Sequence, residues 1–244
     1  MPKYDFGINP PYLNAAGSLG FAPRYKPEPG QPSMGALVTT PISLAPRTPS
    51  QGPRFAAYPG GFLLHTGYPN PGLSAVIRLH AAAWSRSPLP VIVHILGQSP
   101  AENAQMVQRL ETLENVIGVE VGLPPGVSAV EASAMAKAVV GETLVIIRLP
   151  MEQALELAPL MIDAGAAAVS LGAPRGALPA VSGKIIEGRL YGPAVFPHAL
   201  QVVRSLTRQN IPVIAAGGVY SQAQSEIMLE AGAAAVQFDS FLWT

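Results

Sequence analysis

The chain has 244 residues, of which 49% are hydrophobic and 12% charged, against roughly 25% charged in an ordinary domain. Its 15 basic residues balance 15 acidic ones, and it has no cysteine. These numbers exclude a disordered chain, a disulfide scaffold, a thiolate metal site and charge-driven nucleic-acid binding.

The first thirteen residues, Met1 to Leu13, lack a basic segment followed by an apolar run, so no secretory signal is expected. No stretch of about 18 apolar residues occurs, so no membrane span is expected either. A cytoplasmic protein is the default reading. Zero net charge favours self-association or a partner.

In chain order, short β-rich runs bounded by Pro, Gly or polar residues read as strands. They are Tyr12–Ala15, Leu37–Thr40, Phe62–His65, Val91–Leu96, Val116–Val121, Thr143–Leu149, Ala167–Leu171, Val213–Ala216 and Ala234–Phe238. Helical patterns lie between them: Leu73–Trp84, Pro100–Leu113, Ser128–Val140, Met151–Ala164, Pro193–Gln209 and Ser221–Ala231. Ser99 reads as an N-cap, with Pro100 at the first helical position and Glu102 in the first turn. Gly165 and Gly232 stand where a helix end favours a left-handed residue. The strand runs are apolar throughout rather than alternating, as parallel strands covered on both faces require. Repeated strand–helix units predict an α/β fold over residues 1–244, either an eight-stranded barrel or an open doubly wound sheet.

Two segments do not fit the repeat. Pro41–Gly61 is rich in Pro, Gly, Ser and Arg and reads as a long loop that packs over or binds something. After Phe238 only Asp239-Ser240-Phe241-Leu242-Trp243-Thr244 follows, where a barrel would place a helix. The expectation is a bare apolar face near Val236, Phe238, Phe241, Leu242 and Trp243. Another copy, another protein or the Pro2–Pro10 segment would cover it.

Several segments, in order, resemble the dihydroorotate dehydrogenase family of FMN-dependent barrels. Asn14-Ala15-Ala16-Gly17 is similar to that family's first-strand Asn-Ala-Ser-Gly. Gly35–Thr40, Leu44, Pro46-Arg47 and Pro53-Arg54 resemble its second strand and the Pro/Arg-rich loop after it. Gly67-Tyr68-Pro69-Asn70-Pro71-Gly72 resembles its Gly-x-Pro-Asn-x-Gly turn, and Gly188–Ala194 with Pro197 its Gly-Gly-Leu-Ser-Gly-Pro-Ala element. Ala216-Gly217-Gly218-Val219, then Ala231–Ala233 and Val236-Gln237, resembles its last phosphate-binding stretch. The resemblance implies a (β/α)8 TIM barrel, here ending after strand eight, and an FMN-type oxidoreductase. By the same resemblance FMN would rest against Ala15, Ala16, Gly17, Thr39, Thr40, Gly188, Arg189, Gly192, Gly217 and Gly218.

At the family's contact positions this chain carries other residues. The second-strand Lys is Thr40, the Asn of the third strand is His94, and the fifth-strand Lys is Arg148. The Asn-Leu-Ser-Cys-Pro-Asn motif reads Glu120-Val121-Gly122-Leu123-Pro124-Pro125, and the Gly-Thr after the last strand is Asp239-Ser240. Leu123 and Pro125 offer no side-chain donor, acceptor or base. A substrate other than dihydroorotate is therefore expected. Arg189 could donate to a phosphate, whereas Asp239 would repel one.

The same replacements create a new group. His94, Glu120 and Arg148 stand near the ends of three successive strands and are expected to converge inside the mouth at equal depth. They could form an acid–base or anion-binding centre. Equally, they could be a buried Glu120–Arg148 ion pair with His94 as a plug. Three functions stay open. The first is an FMN oxidoreductase of altered substrate. The second is a flavin-free, catalytically degenerate barrel acting as a structural or regulatory subunit. The third is a non-redox acid–base enzyme on a phosphorylated small molecule. Four dispersed histidines give no metal site.

Overall fold

A computed structural model describes residues 6–22, 25–27, 31–181 and 183–243. The chain begins with strands β1 (Tyr12–Asn14) and β2 (Leu37–Val38), then a hairpin of β3 (Phe55–Tyr58) and β4 (Gly61–Leu64). Helix α1 (Leu73–Ser85) leads to β5 (Val91–Ile95), α2 (Pro100–Leu110) to β6 (Val116–Gly122), and α3 (Ala129–Lys137) to β7 (Leu144–Leu149). Helix α4 (Ala154–Asp163) precedes β8 (Ala168–Leu171), after which β9 (Arg175–Pro179) and β10 (Ile185–Tyr191) form a second hairpin. Helix α5 (Phe196–Arg208), β11 (Val213–Ala216), α6 (Gln222–Glu230) and β12 (Ala235–Phe238) complete the order.

Eight parallel strands line up as β1-β12-β11-β8-β7-β6-β5-β2. The remaining seam, between β1 and β2, is narrowed by a Leu13–Ala36 bridge. The Asn14 side chain finishes it, accepting from Val38 N–H at 2.8 Å and donating to Val38 C=O at 2.7 Å. An amide side chain has the same donor–acceptor pair as a peptide, so it substitutes for a ladder rung. The barrel interior is packed by a ring that includes Leu13, Val38, Ile92, Ile146, Ile214 and Ala235, joined from below by Ile8. A larger core fills the space between strands and helices. The inner strands β5, β8, β11 and β12 are buried at every residue, which explains why their sequences do not alternate.

The helix signals act as read. Ser99 accepts from the Glu102 amide at 3.2 Å, and Ser128 with Glu131 forms a capping box. Among the described helices, none is long and apolar enough to cross a membrane.

Three expectations need correction. Phe62–His65 is no barrel strand. Gly61–Leu64 pairs antiparallel with β3 and β10 in a separate four-stranded sheet, β3-β4-β10-β9, beside the mouth. The supposed long loop carries half of that hairpin, because Phe55–Tyr58 alternates exposed and buried residues as an antiparallel strand does. The outer faces of β1 and β12 are covered too, although Trp243 of the expected patch is 49% exposed. Val236 and Phe238 are fully buried, with Tyr12 and Phe241 rings 5.8 Å from the Phe238 ring. Within Pro2–Pro10, residues 2–5 lie outside the described residues, while Phe6 and Ile8 pack with the barrel interior instead of that face.

Candidate active site

The C-terminal ends of the parallel strands converge on a polar layer. Glu120, from β6, is completely buried at its centre. Its Oε2 takes a hydrogen bond from His94 Nδ1 at 2.6 Å and lies 3.5 Å from Arg148 NH1. Its Oε1 accepts from the Ser170 hydroxyl at 2.6 Å and from Gln237 Nε2 at 2.7 Å. Gln237 Oε1 in turn accepts from Arg148 at 3.3 Å. One carboxylate therefore ties together β5, β6, β7, β8 and β12.

The three residues expected to converge do meet, but not at equal depth. His94 is in register with Glu120, whereas Arg148 pairs with Gly122, two residues nearer the mouth. Barrel closure staggers successive strands, so matching positions along the sequence are not level in space. Ser170 and Gln237 were missed. Their signal was a single polar residue inside an otherwise apolar strand, Ala-Val-Ser-Leu and Ala-Val-Gln-Phe.

Burial alone would push the Glu120 carboxyl up. The Arg148 charge and the His94 and Ser170 hydrogen bonds outweigh it and hold Glu120 well below the usual carboxylate range. Burial lowers His94, and the Arg148 and Arg189 charges lower it further against the pull of Glu120. His94 is thus a neutral imidazole at pH 7. An ionised carboxylate accepts only, so the ring proton sits on Nδ1 and Nε2 keeps a lone pair. Nε2 lies over Gly122, where a Cβ would come within 2.8 Å of it. Glycine at that position leaves room for the ring edge.

Two cavities open at this mouth, of about 370 and 210 Å³. Tyr68, Arg148 and Arg189 form the wall between them. Arg189 is fixed there by stacking 3.9 Å from the Tyr68 ring centre and by bonds to the Tyr191 hydroxyl at 3.1 Å and Thr66 Oγ1 at 3.3 Å. His94 and Gly122 line the larger cavity together with Arg47, Arg148, Arg175 and Arg189, and among the described residues no carboxylate lines it. Arg47 is one of the two arginines of the Pro/Arg-rich loop. The other, Arg54, bonds to Ser50 C=O at 2.8 Å and ties the loop to itself. Ala15, Ala16, Gly17, Thr40 and Arg189 line the smaller cavity, as does Trp243.

A family model described as dihydroorotate dehydrogenase matches residues 4–149, more than half of the chain. The chain belongs to the dihydroorotate dehydrogenase family. It is 30% identical over 255 residues to "Dihydroorotate dehydrogenase B (NAD(+)), catalytic subunit" of Desulforudis audaxviator, covering 93% of this chain and 80% of that one. It is 29% identical over 254 residues to the protein of the same description from Pelobacter propionicus, covering 93% and 82%. A crystal structure of the Eimeria tenella dihydroorotate dehydrogenase in complex with ferulenol superposes with a TM-score of 0.72 at 15% identity, covering 93% of this chain and 75% of that one. That likeness confirms the barrel.

The resemblance to dihydroorotate dehydrogenases implies FMN, with its phosphate at Gly217-Gly218 and the turn after β12. The residues present there do not fit a phosphate. The Asp239 carboxyl takes the Ser240 N–H at 2.6 Å, the Ser240 hydroxyl at 3.1 Å and the Gly218 N–H. It therefore occupies the donors an anion would need. Burial pushes Asp239 upward, more than the Ser240 bonds and the Arg148 charge pull it down. Near α6 the Ser221 hydroxyl accepts from Gln224 N–H at 3.2 Å, and the Gln224 side chain from Tyr220 N–H at 2.7 Å. Gly218, at φ 70°, faces the backbone of Phe196 and Gly192 so closely that a Cβ would collide with it.

The other expected contacts divide. Gly188 and Gly192 are packing glycines: a Cβ would meet Leu64 C=O at the first and Gly60 C=O at the second. Thr39 is buried and its hydroxyl accepts from the His94 N–H at 3.0 Å. Neither cavity is lined by Thr39, Gly188, Gly192, Gly217 or Gly218.

Proposed function

We propose that this chain is a flavin-free member of its family that binds a small anion in the larger cavity and moves a proton through His94. The observation that carries this reading is the orientation of His94. Its Nδ1 proton is committed to Glu120, and the ring, only 1% exposed, borders the cavity that four arginines also line. Nε2 is then the base, and Glu120 stabilises the imidazolium that forms when it takes a proton. Glu120 is itself fixed by Ser170 and Gln237, so the pair needs little rearrangement. A bound anion against Arg148 and Arg189 would offset the two charges that lower His94. The base would thus strengthen as ligand arrives, and proton uptake would accompany binding.

The test is a pH titration of the His94 ring nitrogens by NMR, with and without inorganic phosphate. The proposal expects a Nδ1-protonated neutral ring whose midpoint lies below the ordinary value and rises with phosphate. A His94 that merely plugs the barrel would not respond, and that result would refute the reading.

A second reading has its own support. Ala15, Ala16, Gly17 and Thr40 still line the smaller cavity, as expected of an FMN-type oxidoreductase acting on a substrate other than dihydroorotate. Stoichiometric flavin uptake would favour it.

A further inference from the structure

We infer that the ligand of the larger cavity carries two anionic groups on a short, partly apolar frame, as a phosphorylated carboxylic acid or a small dicarboxylate does. This rests on the proposed anion-binding role and adds the substrate class.

The first argument is charge balance. Four of the chain's 15 basic residues, Arg47, Arg148, Arg175 and Arg189, line one cavity in a protein of zero net charge. Among the described residues the ion pairs are His94–Glu120 and Arg148–Glu120. Glu120 offsets Arg148, and His94 is neutral. Arg47, Arg175 and Arg189 have no carboxylate in ion-pair reach among the described residues. Of these three, Arg189 is half-buried and its charge is left to the ligand, while the exposed Arg47 and Arg175 are two further guanidinium groups that a second anionic group can engage.

The second argument is placement. Arg148 and Arg189 are half-buried in the wall shared with the smaller cavity, whereas Arg47 and Arg175 are exposed at the rim. Each rim residue has a pinned backbone. Arg47 exchanges backbone hydrogen bonds with Asn70 at 2.9 and 3.1 Å, and the Arg175 N–H donates to Glu152 at 2.5 Å. A guanidinium recognises carboxylate or phosphate through paired N–H donors, so the half-buried pair and the exposed pair can each engage one anionic group. Leu123, Pro124 and Pro125 line the cavity as well and offer apolar surface to the frame. The volume of about 370 Å³ is at the small end for ligand sites, which favours a compact molecule.

Calorimetric titration of the purified full chain with phosphoglycolate, malonate, inorganic phosphate and acetate, at one ionic strength, tests this. The two-group ligands should bind at least about tenfold tighter than phosphate or acetate. Arg47→Ala and Arg175→Ala should erase most of that advantage while leaving the melting temperature unchanged, since both side chains are exposed. Phosphoglycolate above malonate would identify a phosphorylated acid, and the reverse order a dicarboxylate. Equal affinity for one-group and two-group ligands, or no binding of any of them by a colourless protein, would overturn the inference. FMN uptake by the same preparation would instead contradict the flavin-free reading.

Discussion

On the β5–β6–β7 side of the mouth, arginine side chains face a cavity, and the carboxylate in ion-pair reach of them among the described residues is Glu120. On the β11–β12 side, the donors around Gly218 and Ser240 close on Asp239, a carboxylate of the chain itself. Both sides use the same strand ends of one barrel. The difference is where the compensating negative charge comes from. A donor set satisfied internally has no need of a ligand, whereas an uncompensated set of cations favours one.

Replacing Glu120 should have the largest effect. Glu120→Ala removes the acceptor for His94, Arg148, Ser170 and Gln237 at once, and should cost about 3–5 kcal/mol in urea unfolding. A loss under about 1 kcal/mol would mean that water replaces the carboxylate easily and that the two sides differ less than described. Next comes the seam beside the smaller cavity. Asn14→Ala leaves the Val38 N–H and C=O unpaired and should cost about 1–3 kcal/mol by the same measurement. On the β12 side, Asp239→Gly frees the Gly218 and Ser240 amides. Inorganic phosphate should then bind about tenfold tighter, read by calorimetry. No change would show that Asp239 is not what closes that site.

The smallest effect is on pH dependence. The folded-state value of His94 is lowered from 6.5, so below 6.5 the unfolded chain binds a proton that the folded chain refuses. Stability should therefore fall as pH drops below 6.5 toward the lowered value, and this contribution should be flat above 6.5. Glu120 has the opposite history. Its folded value is depressed from 4.5, so its contribution stays intact above 4.5 and is lost only in stronger acid. Denaturation at about pH 7.5 and 5.5 should show a slope that His94→Gln removes. An unchanged slope would contradict the neutral imidazole.

The strand–helix repeat was legible because its strands are continuous apolar runs and its helices carry their own caps, as at Ser99 and Ser128, while the choice of a barrel over an open sheet came from the family resemblance. The second sheet was not. Phe62–His65 has a strand's composition, and composition does not say which sheet a strand joins. Arg175–Pro179 alternates too briefly around Gly176 to stand out. At the site, His94, Glu120 and Arg148 were visible as departures from a family pattern. Ser170 and Gln237 were not, because a lone polar residue in a strand shows its partner only after the barrel closes. The engaged state of Gly218 was hidden for the same reason: Asp239 was visible as an anion, but its bonds depend on two adjacent strand ends.

The central claim is that the flavin side of this mouth is closed by the chain itself while the arginine side is open to an anion. Its most direct test is the absorption spectrum of the purified full chain after incubation with excess FMN and desalting. The account predicts a colourless protein that still binds phosphoglycolate. A yellow protein with one flavin per chain that oxidises a substrate would contradict it.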